Sequence, residues 1–189
     1  MNRRVFLAMA IVPLLTVSKA SADGVTVRWD IIQFTSSMPP TFTAGGQASA
    51  LAEDGSKITL TGSGTFQLGE DGGVTGGGSW IIHAPSGAAT GSGTYQVTGL
   101  IKFDLAPGSV PSPPFVDLID SNVKAHAGLA YLRIHYSDGS RGVLVVSCNF
   151  VGTPPTVFEG ITASKDFVDY FMRVDGGFTL FHITASEDD

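Results

Sequence analysis

The sequence predicts an all-β fold: a single antiparallel β-barrel of about nine or ten strands, with a two-sheet β-sandwich as the alternative. Three observations point there. Nearly every segment after residue 22 is a strand-length run rich in Val, Ile, Thr and aromatic residues, and none has the period of an amphipathic helix. Asp-Gly pairs recur between these runs, at Asp54-Gly55, Asp71-Gly72, Asp138-Gly139 and Asp175-Gly176, and supply the positive φ angles that tight hairpins need. Finally, one pattern of Gly-x-Gly, then Ser or Thr, then an aromatic occurs in succession as GSGTF at 62–66, GGGSW at 76–80 and GSGTY at 91–95.

Residues 1–22 read as a signal peptide. Arg3 and Arg4 precede an apolar run over 5–17, and Ala20-Ser21-Ala22 forms a small-residue cleavage site. The adjacent arginines resemble the twin-arginine export pattern, an ordinary Sec signal being the alternative. Either route implies an exported protein, periplasmic or extracellular. No later segment reaches the roughly 18 uninterrupted apolar residues of a membrane span, so no membrane insertion is expected once the signal is removed.

Residues 23–189 are then expected to form a single domain with one core. Removing Arg3, Arg4 and Lys19 from the 11 basic residues leaves eight against 17 acidic ones, and the formal charge goes from −6 to −9. Such a charge argues against nucleic acid and anionic membrane surfaces as partners. Cys148 is the only cysteine, so no disulfide within the chain is available. It shares its alternation face with Leu144, Val146 and Phe150 and reads as a small buried apolar residue.

Taken in order, the expected strands are 25–35, which alternates around Trp29; 47–52, closed by Asp54-Gly55; 57–68 and 74–83, joined through Asp71-Gly72; and 91–104. The proline-rich stretch APGSVPSPP at 106–114 reads as a loop joining two halves of one sheet system. Strands 129–137 and 142–151 flank Asp138-Gly139. Strand 157–162 follows Pro154-Pro155, and 167–173 and 177–185 flank Asp175-Gly176. Connections this short imply antiparallel pairing of sequential neighbours.

Because side chains alternate across a strand, each copy of the repeated pattern puts two glycines and an aromatic on one face: Gly62, Gly64 and Phe66; Gly76, Gly78 and Trp80; Gly91, Gly93 and Tyr95. The aromatic of one strand can then lie over the bare glycines of its neighbour, and the sheet can bend sharply. A phosphate cradle is excluded, since no helix follows the glycines and no Lys-Ser or Lys-Thr step is present.

The series TGSGTF, GGGSW, GSGTY, YSDGSRGVLVVSC and FEGI resembles a group of uncharacterised exported bacterial proteins over most of residues 45–165. The glycine-aromatic hairpins are also similar to the small antiparallel barrel of allene oxide cyclase and dirigent proteins. The first resemblance implies no activity. The second implies a barrel with an apolar cavity, and no motif carries catalytic residues over.

Motifs for serine hydrolases, His-Glu-x-x-His metalloenzymes and calcium loops are absent. His135 alternates with Arg133 and Tyr131, and His182 with Leu180 and Phe178. Brought together with Asp30 or Glu159, these histidines would form an acid–base pair or a metal site, although their spacing defines no ligand set, and no metal or cofactor is expected. Glu159, set between apolar residues in VFEGI, is a candidate general acid with a raised pKa, or else a strand-end hydrogen-bond acceptor. Trp29, Trp80, Tyr95, Tyr131 and Phe178 are the candidate lining of an apolar cavity, or else fill the core. The function expected is a non-enzymatic exported barrel that binds a small apolar or amphipathic ligand. The alternatives are an isomerase or cyclase using the same cavity, and a structural or surface-interaction module.

Overall fold

The computed structural model describes residues 24–69, 72–108, 110 and 115–184. Residues 1–23, where a signal peptide is expected, Asp71 and most of the proline-rich stretch after Gly108 lie outside the described residues. Those described form strands and no helix. The strands are β1 Thr26–Thr35, β2 Thr41–Ala44, β3 Ala48–Leu51, β4 Lys57–Leu60, β5 Ser63–Gln67, β6 Gly77–His83, β7 Ala89–Leu105, β8 Val116–Asp117, β9 Ala125–His126, β10 Gly128–Tyr136, β11 Arg141–Cys148, β12 Gly160–Lys165, β13 Val168–Tyr170, β14 Met172–Arg173 and β15 Phe178–Thr184.

The turn chemistry acts as expected at β3–β4 and β10–β11. Ala52 and Ser56, and likewise Tyr136 and Ser140, close three-residue loops in which Gly55 and Gly139 take φ of +79° and +92°. Asp54 and Asp138 each accept hydrogen bonds from the backbone N–H and hydroxyl of the serine two residues on, which stiffens both loops. Asp175-Gly176 behaves differently. It leads from β14, which pairs β3, to β15, whose two edges are taken by β1 and β9, so the strands on either side of this turn are not hydrogen-bonded neighbours.

The main ladder runs β13-β12-β11-β10-β7-β6-β5-β1-β15-β9. Pairings are antiparallel except that of β2 with β8, which is parallel. The expected strand 57–68 is divided at Thr61-Gly62, where the chain changes partners: β4 runs between β3 and β6, while β5 pairs chiefly with β1. The expected strand 167–173 is divided at Phe171. Its first part pairs β12 and its second pairs β3, so two arms of the sheet approach one another without a continuous ladder, and the sheet is mixed and not closed.

The buried side chains form one cluster. Along β10 the alternation is regular, with Ala130, Leu132, Ile134 and Tyr136 inside and Arg133 and His135 outside. Cys148 is buried beside Leu144 and Val146 on the inner face of β11, and burial pushes its thiol pKa up. β1 is buried on both faces over Trp29–Ile32, with Trp29 and Ile31 in the core and Phe115 sharing a pocket with Ile32 on the other side.

The glycine-rich hairpins supply both close backbone approach and space for aromatics. A Cβ on Gly64 or Gly76 would strike backbone of the facing strand, and one on Gly78 would strike the Thr61 carbonyl. Gly76, at φ +110°, also has a conformation that other residues rarely adopt. The Trp80 ring lies over Gly91 and Gly93, where added Cβ atoms would meet it at 3.1 and 3.0 Å. Trp29 covers Gly64, and Tyr95 reaches past Gly62 to donate a 2.8 Å hydrogen bond to the Thr61 carbonyl. Lys165 closes the outer end, its ammonium 4.8 Å from the Trp80 ring centroid and 2.6 Å from Asp138.

Gly78→Val is therefore expected to cost about 3 kcal/mol or more in chemical denaturation, because the obstruction is backbone and cannot rotate away. Gly99→Ala, whose added methyl would meet only the Arg133 side chain at 3.7 Å, is expected to change stability by under about 1 kcal/mol.

Candidate functional site

An open apolar pocket of about 330 Å³ lies where the ends of β1, β2, β11 and β15 meet. The β1–β2 pairing sets Phe34 opposite Phe42, and the β1–β15 pairing sets Ile32 opposite Phe178. Phe34 thereby comes within 5.6 Å of Phe42, 5.2 Å of Phe178 and 6.2 Å of Phe115, centroid to centroid. Phe150 and Val151 complete the apolar wall.

Glu159, Asn149 and Thr179 form its polar part. Gly160, at φ +109°, turns the chain into β12 and leaves the preceding Glu159 facing β11 and β15. The two carboxylate oxygens accept hydrogen bonds from the backbone N–H groups of Asn149, at 2.6 Å, and Thr179, at 2.7 Å. The surrounding polar atoms are tied back as well: the Thr179 hydroxyl donates to the Ser147 carbonyl, the Ser147 hydroxyl to the Phe158 carbonyl and the Asn149 amide to the Val157 carbonyl. Glu159 is thus held in one orientation by its neighbours.

Burial raises the Glu159 pKa to about 7, against the partial opposition of the two N–H donors, the Thr179 hydroxyl and the more remote Arg173. The carboxyl can therefore hold or release a proton near neutral pH. In the folded protein it stays protonated up to about pH 7, whereas in the unfolded chain it ionises near 4.5. Between those values the folded state binds more protons, and stability falls as pH rises through the window.

The other residues singled out from the sequence are dispersed. Asp30 is fully buried and accepts hydrogen bonds from Arg28 Nε and Nη2, at 2.7 and 2.9 Å. His182, on the adjacent β15, is also buried, with its Nε2 2.8 Å from Asp117. His135 is exposed on the outer face of β10, a strand flanked by β7 and β11, so the two histidines do not meet. Among the described residues no group of three or more His, Cys, Asp or Glu side chains could hold a metal ion. Phe178 lines the pocket, and Trp29, Trp80 and Tyr95 lie over glycines in the core. Tyr131 is partly buried on β10, opposite Lys102.

Of the pocket residues only Glu159 and Phe178 are among the sequence candidates; those not anticipated include Phe34, Phe42, Phe115, Phe150, Asn149 and Thr179. Phe34 shares an alternation face with Ile32, the one local signal available, whereas Phe115 follows the proline-rich stretch with no pattern around it. No protein family, curated protein or solved structure matches this chain.

Glu159→Gln is expected to flatten the decline in stability between about pH 4.5 and 7, a change of about 3 kcal/mol at most, measured by denaturation across that range. Native Cys148 is expected to resist thiol reagents and to react only on unfolding.

Proposed function

We propose that this is an exported, barrel-like protein that binds a small amphipathic molecule, the apolar part among the phenyl rings and the polar part toward Glu159. The supporting observation is the pocket itself: a wall of aromatic side chains ending in one oriented carboxyl group, the pattern of a site that holds an apolar body and reads a single polar feature. The run 168–173, which reaches from β12 to β3, supports a sheet wrapped nearly into a barrel.

The near-neutral pKa of Glu159 also suits acid–base chemistry. An isomerase or cyclase would need a second proton-handling group on the substrate, and Glu159 is the only carboxyl, imidazole, thiol, phenol or basic group among the pocket's described lining residues. Binding without turnover is therefore the preferred function.

Small aromatic and alkyl-aromatic probes should bind the purified protein in ligand-observed NMR. Phe34→Ala or Phe178→Ala should weaken them about tenfold or more, while replacement of the fully exposed Phe167 should leave binding unchanged. Unaltered affinity in both pocket variants would place the probes elsewhere and end the proposal.

A further inference from the structure

When Glu159 ionises, its charge has no cationic partner among the described residues: no Lys, Arg or His of these lies within salt-bridge distance of it. Arg173, on β14, exerts the weakest of the influences on its titration and is itself bonded to Asp175 at 2.6 Å. The groups that meet Glu159 from β15 and from the end of β11 are Thr179 and Asn149, both uncharged, and the nearby Cys148 is a buried, neutral thiol. Among the described residues the anion is held directly only by uncharged donors, two backbone N–H groups and, at 3.4 Å, the Thr179 hydroxyl, and burial outweighs them.

The rest of the pocket is apolar and aromatic. Five phenylalanines line it, at positions 34, 42, 115, 150 and 178, and their ring faces attract cations. An anionic head would be repelled by the carboxylate, and a neutral head would leave its buried charge uncompensated. We infer that the pocket selects an organic ammonium ion on an apolar body, the ammonium pairing with Glu159 and the body lying among the phenylalanines; this inference rests on the pocket being a ligand site.

Such a ligand draws the carboxyl back into its ionised form. Below about pH 7 binding must therefore expel a proton from Glu159, and affinity for an amine that stays charged rises from pH 5 to pH 8. Binding of a neutral analogue carries no such requirement and does not rise with pH.

The test compares 4-butylbenzylamine, 4-butylbenzyl alcohol and 4-butylbenzoate by calorimetric titration of the full exported chain and of Glu159→Gln, at pH 5 and pH 8. The expected result is that the amine binds roughly tenfold tighter than the alcohol at pH 8. The preference should shrink at pH 5 and vanish in Glu159→Gln, which should still bind the alcohol and so report an intact pocket. Equal binding of amine and alcohol at pH 8, or preference for the benzoate, would overturn the ammonium assignment while leaving the pocket a ligand site. Failure of all three probes to bind would overturn the ligand site itself.

Discussion

The fold depends on how closely β5, β6 and the linker between β4 and β5 approach one another. At Gly64, Gly76 and Gly78 a Cβ would overlap main-chain atoms of the opposite strand, so the glycines are required by steric exclusion. Glycines here leave room for aromatic rings as well, Trp29 lying at Gly64, Trp80 over Gly91 and Gly93, and Tyr95 beside Gly62. Bending, partner exchange and aromatic burial are therefore one event. Where the chain bends at Gly62, the sheet changes from the β3–β4–β6 arm to the β5–β1–β15 arm, and a large ring covers each exposed stretch of backbone.

The pocket lies at one end of the arm this exchange opens. β5 stays paired with β6 at Ser63 and Gly77 and lies along one edge of β1, β15 takes the other edge, and the β1–β15 register sets Ile32 opposite Phe178 with Phe34 just beyond. At the same end, β15 brings the Thr179 N–H to Glu159 and its hydroxyl to the Ser147 carbonyl, fastening the β11–β12 connection to the opposite arm. One carboxyl group thus joins three segments of chain and also faces the apolar pocket. Burial and orientation have the same structural origin, so the site's proton affinity is set by the packing that holds the sheet arms together.

Glu159 shows what a single residue discloses in sequence. Its apolar flanks and the following glycine leave two readings open, a carboxyl group with a raised pKa and a strand-end hydrogen-bond acceptor. The folded residue has features of both: it accepts two backbone N–H bonds and burial raises its pKa. The histidines show the opposite. Their alternation patterns placed His182 on an apolar face, and it is buried, yet its partner Asp117 comes from a two-residue strand with no periodic pattern to announce it. The short strands β8 and β9 lie outside the expected strands for the same reason: two residues cannot display a period.

The sequence by itself determined the all-β class, the hairpins at Asp54-Gly55 and Asp138-Gly139, the buried thiol and the stacking of aromatics on glycines. Each rests on a period of two, a turn residue or a neighbouring strand, and is written within a short window of chain. Only the tertiary structure decided that residues 26–32 pair with 178–184, that the sheet arms approach without a continuous ladder, and that Phe34, Phe115, Glu159 and Phe178 share one pocket. Those outcomes come from long-range packing and register. Many strands of similar alternation could pair locally, and the choice among them falls to the backbone contacts that only glycine permits.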